Sequence, residues 1–200
     1  MRRRIRRRLG LIMTILAAFL LWACSQAPPR ALYLDPAAWP GDLAQIALVE
    51  ISYDQRYRPP PGLDLTIELR RALKQELAAK GYRLLLADRG EENYHGEKSA
   101  AELVARAPQG ADAVLALHID FLFLSATLSE RNPPPEAEIA GEARIIDKQS
   151  GEELWRDRAN GLGGGAAAMP VVSFIGLRQE ALANLAKELF ATLPDRPVGQ

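Results

Sequence analysis

Six arginines crowd the first eight residues, the next fifteen, Leu9 to Ala23, carry no charge, and the chain's single cysteine, Cys24, follows directly. A positive n-region, an apolar h-region and a small residue before the cut are the marks of an export signal. This leader constrains the rest, because it sets which part of the chain has to fold. Fifteen helical residues at about 1.5 Å each reach roughly 22 Å, short of the ~30 Å hydrocarbon core, so a cleaved leader fits better than a permanent span. A lone thiol in an exported chain has no partner for an internal disulfide, which leaves Cys24 free for another use.

The four residues Leu21-Trp22-Ala23-Cys24 resemble the lipobox of bacterial lipoproteins. That resemblance implies that Cys24 is acylated, with palmitate-type chains, and becomes the new N-terminus; with Ser25 after it, it also implies passage to the periplasmic face of the outer membrane. Each buried methylene contributes about 0.8 kcal/mol, and two or more chains make attachment stable. The organisation expected is a signal peptide at 1–23, a lipidated tether at 24–44, one α/β periplasmic domain at 45–193 and a tail at 194–200.

Subtracting the leader's six arginines from 25 basic residues leaves 19 against 25 acidic, a formal charge of −6 for the remainder. A nucleic-acid binder needs a basic footprint to displace counterions, so that class is excluded. Ser25 to Pro40 sustains neither a helical nor a strand period and reads as a tether, with Tyr33 or Trp39 as the residue that packs on the domain.

Gln45 to Ser52, a short apolar run with Ile46, Leu48, Val49 and Ile51, predicts the first strand. Asp64 can cap a helix running to Lys80 and closed by Gly81, with Leu65, Leu69, Ala72, Leu73 and Leu77 on one face. Tyr82 to Ala87 returns as a strand, which makes a βαβ unit with a parallel pair. Ser99 and Glu102 have the spacing of a capping box for a short helix through Ala107. Ala113 to Leu124 is the most apolar strand and the expected centre of the sheet. Its alternation puts Leu115, Leu117, Ile119, Phe121 and Phe123 on one face and Val114, Ala116, His118, Asp120 and Leu122 on the other. Ala137 to Asp147 and Glu152 to Ala159 form a hairpin around Lys148-Gln149-Ser150-Gly151, expected at the sheet edge. Gly176 to Leu193 is the last helix, striped by Leu177, Ala181, Leu182, Leu185, Leu189 and Leu193, and the tail beyond it is expected to be disordered. The fold class is α/β: a mixed five-stranded sheet packed by about three helices, in the order β-α-β-α-β-β-β-α.

Two stretches suit contact with another protein. Tyr53, Arg56, Tyr57 and Arg58, followed by three prolines, combine rings, guanidinium groups and stiff backbone, a composition with a low ordering cost on binding. Residues 159–177 carry no charge and include Met169 and Phe174, which suits a loop, an oligomer contact or an insertion into a partner's groove. Gly161, Gly163 and Ala166 match a dinucleotide fingerprint only in spacing, since no further βαβ unit follows. Glu91, Glu92 and His95 lack the further ligands a metal would need, so neither metal nor cofactor is expected. His118 and Asp120 share a strand face and supply the alternative, a periplasmic small-ligand binder or hydrolase, although no activated-serine signature accompanies them.

Three stretches carry a further resemblance: Gly81-Tyr82-Arg83, Gly110-Ala111-Asp112-Ala113-Val114-Leu115, and Ile145 to Trp155 with Asp147, Gly151 and Trp155 in their places. Together with the element order they are similar to periplasmic lipoprotein domains such as the curli secretion channel lipoprotein, the lipoprotein activator of penicillin-binding proteins, and the N-terminal domain of the Tol translocation protein. The resemblance spans 45–193 and implies a non-enzymatic domain that docks on an envelope protein or on its own copies, as an accessory to secretion, transport or cell-wall assembly. No stretch alternates long enough for the membrane-crossing hairpins of a pore.

Overall fold

The computed structural model describes residues 30–57, 59, 63–87, 92–93, 98–124, 136–164 and 174–196, with the backbone alone at 92, 93, 136 and 174. These hold seven strands: β1 (Tyr33–Leu34), β2 (Gln45–Tyr53), β3 (Arg83–Leu86), β4 (Glu92–Asn93), β5 (Ala113–Leu124), β6 (Glu136–Asp147) and β7 (Glu153–Gly164). Three helices accompany them, α1 (Thr66–Ala79), α2 (Ala100–Val104) and α3 (Phe174–Leu189), with a 3-10 turn at Phe190–Thr192. Across the single sheet the order is β1-β7-β6-β5-β2-β3, and β4 pairs with β2 beyond the end of β3. β2 is parallel to β3 and β5, whereas β5, β6, β7 and β1 are successively antiparallel. The α/β class and the five expected strands stand. The two additional strands are two residues each, too short to carry a period that a sequence could display.

α1 forms where its leucines repeat along one stripe. Leu65, Leu69, Leu73 and Leu77 are all fully buried. Asp64 Oδ1 accepts the Thr66 N–H at 2.8 Å, one residue ahead of the assigned N-cap Leu65, whose φ of −88° and ψ of −11° are already helical. The other end closes at Gly81, which takes φ +87°, while Gly81 N–H and Tyr82 N–H donate to the carbonyls of Ala78 and Leu77. That pairing satisfies carbonyls the helix would otherwise leave open. α2 starts on the expected box, with Glu102 N–H donating to Ser99 Oγ and Ser99 N–H donating to Glu102 Oε2 at 2.8 Å, but it ends at Val104.

α1 and α3 lie on one face of the sheet, over a core that includes Ile46, Leu115, Ile139 and Trp155. α3 begins two residues earlier than its stripe predicts, at Phe174, and all six stripe leucines and alanine are buried. Trp155 Nε1 donates to Thr192 Oγ1 at 3.1 Å, and Thr192 Oγ1 donates to Asp157 Oδ2 at 2.5 Å, which ties the end of the chain to β7. The expected disordered tail is held through Arg196: Tyr82 Oη donates to the Pro194 carbonyl at 2.9 Å and Arg196 N–H to the Lys80 carbonyl at 2.9 Å. On the tether side, Trp39 meets Tyr82 edge-on at 6.4 Å, while Tyr33 stays largely exposed in β1.

β7 runs five residues past its expected end, to Gly164. The reason is packing. A Cβ on Gly161 would stand 2.7 Å from Leu185 Cβ and closer still to the Ala181 carbonyl; one on Gly163 would stand 2.9 Å from Ala181 N and against the Leu177 carbonyl. The glycines let α3 lie directly on the strand, which accounts for their spacing without any nucleotide. The uncharged stretch is therefore strand to Gly164 and helix from Phe174; residues 165–173, with Met169, lie outside the described residues.

Candidate functional site

Two register shifts build the second face of the sheet. In β2 the pairing with β5 slips between Leu48 and Glu50, so Glu50 and Ser52 turn to the second face while Ile51 and Tyr53 enter the core. In β5 the pairing with β6 slips between Ile119 and Phe121, leaving Asp120 as the extra residue. Beyond it Leu122 and Leu124 pack on the main core, and Phe121 and Phe123 do not, contrary to the simple alternation expected. One inserted residue exchanges the two faces of everything after it.

On this second face α2 covers only a small cluster with Leu103 over Val49, Val114 and Ile146. Among the described residues no helix covers the rest, which is laid out in cross-strand rows. Ser52, His118, Glu142 and Arg158 form one; Phe121, Ala140 and Asn160 the next; Phe123, Glu138 and Leu162 the last. Ser52 Oγ and His118 Nδ1 are hydrogen-bonded at 2.9 Å. Glu50 is 2 % exposed and pairs with Lys98 Nζ at 2.6 Å and Arg106 at 3.5 Å, and an Arg144 N–H donates to the Lys98 carbonyl. Glu50, Ser52, His118, Glu142 and Arg144 border about 10 Å³, space for one water. A larger open cleft of about 390 Å³ at the hairpin end holds Asp112 and Asp147, but both carboxylates are engaged by backbone: Asp112 Oδ2 accepts from Ala44 and Gln45, and Asp147 Oδ2 from Ser150. Among the described residues no cluster of three metal-ligating side chains forms.

Of the residues expected to make contacts, Tyr53 is 1 % exposed and belongs to the core, placed there by the β2 register shift. Arg56 and Tyr57 belong instead to a built corner. Arg56 Nε and its terminal nitrogen both donate to Asp54, at 3.1 Å each, and the guanidinium stands 5.5 Å from the Tyr57 ring centroid. Tyr57 in turn meets Phe121 at a tilt of 56°, with ring centroids 5.0 Å apart. Hydrogen bonding from Arg56 pulls the Asp54 carboxyl down to about 2, and the same carboxylate raises the Arg56 guanidinium. Cys24, Arg58 and Met169 lie outside the described residues, as do Glu91 and His95, and Phe174 and Glu92 are described in backbone alone. His118 and Asp120 do not form a pair: His118 bonds Ser52, and Asp120 in the bulge pairs with Arg158 at 2.8 Å. Glu50 and Ser52 escaped the sequence reading, because in a nine-residue apolar run only the register shift tells which side chains leave the core, whereas alternation along β6 already sets Glu142 and Arg144 opposite Ile139, Ala143 and Ile145.

No family model matches this sequence, and no protein of curated function matches it. Solved structures do share the fold. The PelC dodecamer of Paraburkholderia phytofirmans aligns with a TM-score of 0.50 at 12 % identity, covering 84 % of this chain and 96 % of that one. A PelC point variant from the same species gives 0.51 at 16 % identity over 76 % and 89 %. Lipoprotein GNA1162 of Neisseria meningitidis gives 0.43 at 19 % identity over 64 % and 88 %. At these identities the PelC likeness establishes the architecture, a mixed sheet with long helices on one side.

Proposed function

We propose that this chain is a bacterial envelope lipoprotein, exported by its leader and held on the periplasmic face of the outer membrane through acylated Cys24. Its domain acts by assembly, with its own copies or with another envelope protein, as an accessory to secretion, transport or cell-wall assembly, and without turnover. The observation that carries the assembly is the open second face of β5, β6 and β7. Its row of His118, Glu142 and Arg158 sets imidazole, carboxylate and guanidinium side by side across three strands, a surface able to meet a like surface in opposite order. The shared fold adds support, since PelC is described as a dodecamer.

Two measurements test this reading. Metabolic labelling with a palmitate analogue is expected to mark the wild-type chain and not Cys24→Ser. Native mass spectrometry of the detergent-extracted chain is expected to find oligomers or a bound envelope protein, both lost in Arg158→Glu, which places a third acid beside Asp120 and Glu142. A wild-type chain that is monomeric and recovers no partner overturns the assembly reading.

The Ser52–His118 hydrogen bond favours a second reading, a small-ligand binder or hydrolase centred on His118. The cavity beside it admits a water and no substrate, which ranks this reading lower. Loss of ligand binding or hydrolysis in His118→Ala with unchanged thermal stability would reverse the ranking.

A further inference from the structure

We infer that one end of the domain, the end where β5 and β7 finish, lies against the lipid surface, an orientation that rests on Cys24 being the anchor. All parallel strands and β7 point the same way, so Leu124 and Gly164 finish at a common end, where β6 also starts. The first turns of α1 and α3 come to that end too. α1 closes beside the start of β3, and α3 runs antiparallel to β7, with Leu177 over Gly163 and Phe190 against Trp155.

Four large apolar side chains are exposed around this end, two from the helix layer and two from the second face: Ile67 at 62 %, Ile175 at 55 %, Leu162 at 57 % and Phe123 at 46 %. Toward the same end Asp54, Glu68 and Asp120 each pair with an arginine, Arg56, Arg178 and Arg158. An apolar rim beside which Asp54, Glu68 and Asp120 are already paired approaches lipid headgroups at reduced electrostatic cost, and Glu138, between Phe123 and Leu162, accepts from the Asn160 amide at 2.7 Å. The opposite end presents the charged turn, with Asp147, Lys148 and Glu152.

The tether fixes the direction and the distance. β1 is antiparallel to β7, with Tyr33 opposite Arg156, so the chain ahead of Tyr33 heads toward the Gly164 end. From Cys24 to Tyr33 are nine residue steps, which span at most about 32 Å at ~3.6 Å each. From Arg156 to Gly164 are eight steps, a rise of about 27 Å at ~3.4 Å each. Even a fully extended lead would therefore carry Cys24 at most about 5 Å past the level of Gly164, less than the thickness of a headgroup layer. An anchor on so short a lead brings the rim of Ile67, Phe123, Leu162 and Ile175 into the interface.

Acylation blocks the only native thiol, so introduced cysteines can be spin-labelled singly. The full chain carrying Ile67→Cys, Leu162→Cys or Ile175→Cys, with Ser150→Cys at the far turn as control, is reconstituted in phosphatidylethanolamine–phosphatidylglycerol vesicles. Collisions with oxygen and with a water-soluble nickel chelate are then compared. Labels at 67, 162 and 175 are expected to show an oxygen-to-chelate ratio several-fold above that at 150. Equal, high access of the chelate at all four positions overturns the inference. So does low access of both probes at the rim, which would mean that protein covers it. Intact mass on the same samples separates the two ideas: an acylated chain with its labels in water refutes only the orientation, whereas a chain without acyl groups refutes the anchor and the orientation with it.

Discussion

The two faces of the sheet share every strand and differ in what lies on them. Under α1 and α3 the side chains are mostly leucine and isoleucine, with the rings of Tyr53, Trp155 and Phe190 among them, and glycine at 161 and 163 brings helix backbone onto strand backbone. On the other face a five-residue helix covers a few small residues, and the remainder is ion pairs, hydrogen bonds and half-exposed rings. The first face is dense and intolerant of volume; the second is held by pairs, buried at Glu50 and more exposed at Arg158. On the assembly proposed above, the two tasks of cohering and meeting a partner fall to different faces, because the groups that make a core cohere are poor at discriminating partners.

Four substitutions break or sharpen this contrast, the largest effect first. Gly161→Val places atoms where Leu185 and Ala181 already stand, and the obstacle is helix backbone that cannot turn away. The cost is expected to exceed about 3 kcal/mol, the upper end of ordinary overpacking. Urea denaturation of the variant should find it largely unfolded, and a midpoint near wild type would show that α3 floats above the strand. Leu73→Ala, in the fully buried stripe of α1, is expected to lose about 3 kcal/mol through its cavity.

On the second face, Glu50→Gln removes the carboxylate shared by Lys98 and Arg106. Both cations are partly exposed and regain water, so the loss should be about 2 kcal/mol, below that of a fully buried pair. A loss equal to that of Leu73→Ala would erase the distinction between the faces.

The smallest effect is one of pH. Arg178 donates two hydrogen bonds to Glu68, at 2.8 and 2.7 Å, which lowers the Glu68 carboxyl below its ordinary 4.5. A depressed folded pKa means that the stabilisation is complete above the unfolded value and is lost as pH falls through the folded one. Thermal stability of the wild type should therefore decline below about pH 4.5, and Glu68→Gln should flatten that decline while leaving the stability above pH 6 slightly reduced. An unchanged acid limb would mean that the pair linking α1 to α3 contributes nothing.

Much of this architecture was written in local pattern. The stripes of α1 and α3, the Ser99–Glu102 box, the turn at 148–151 and the central position of β5 all follow from neighbours three or four residues apart, or two apart in a strand. These are interactions a short segment makes largely with itself, so the segment's own residues determine them. The expected leader is likewise read from order and composition alone. What lay beyond the sequence depends on a partner far along the chain. Whether Tyr53 faces core or surface, and whether Phe121 shares a side with Leu117, is decided where β2 and β6 shift register against β5. Gly161 and Gly163 acquire their meaning only when α3, some twenty residues on, lands on them. A strand has a period of two, so one extra residue inverts every later side chain, and only the pairing of distant strands says where that residue falls.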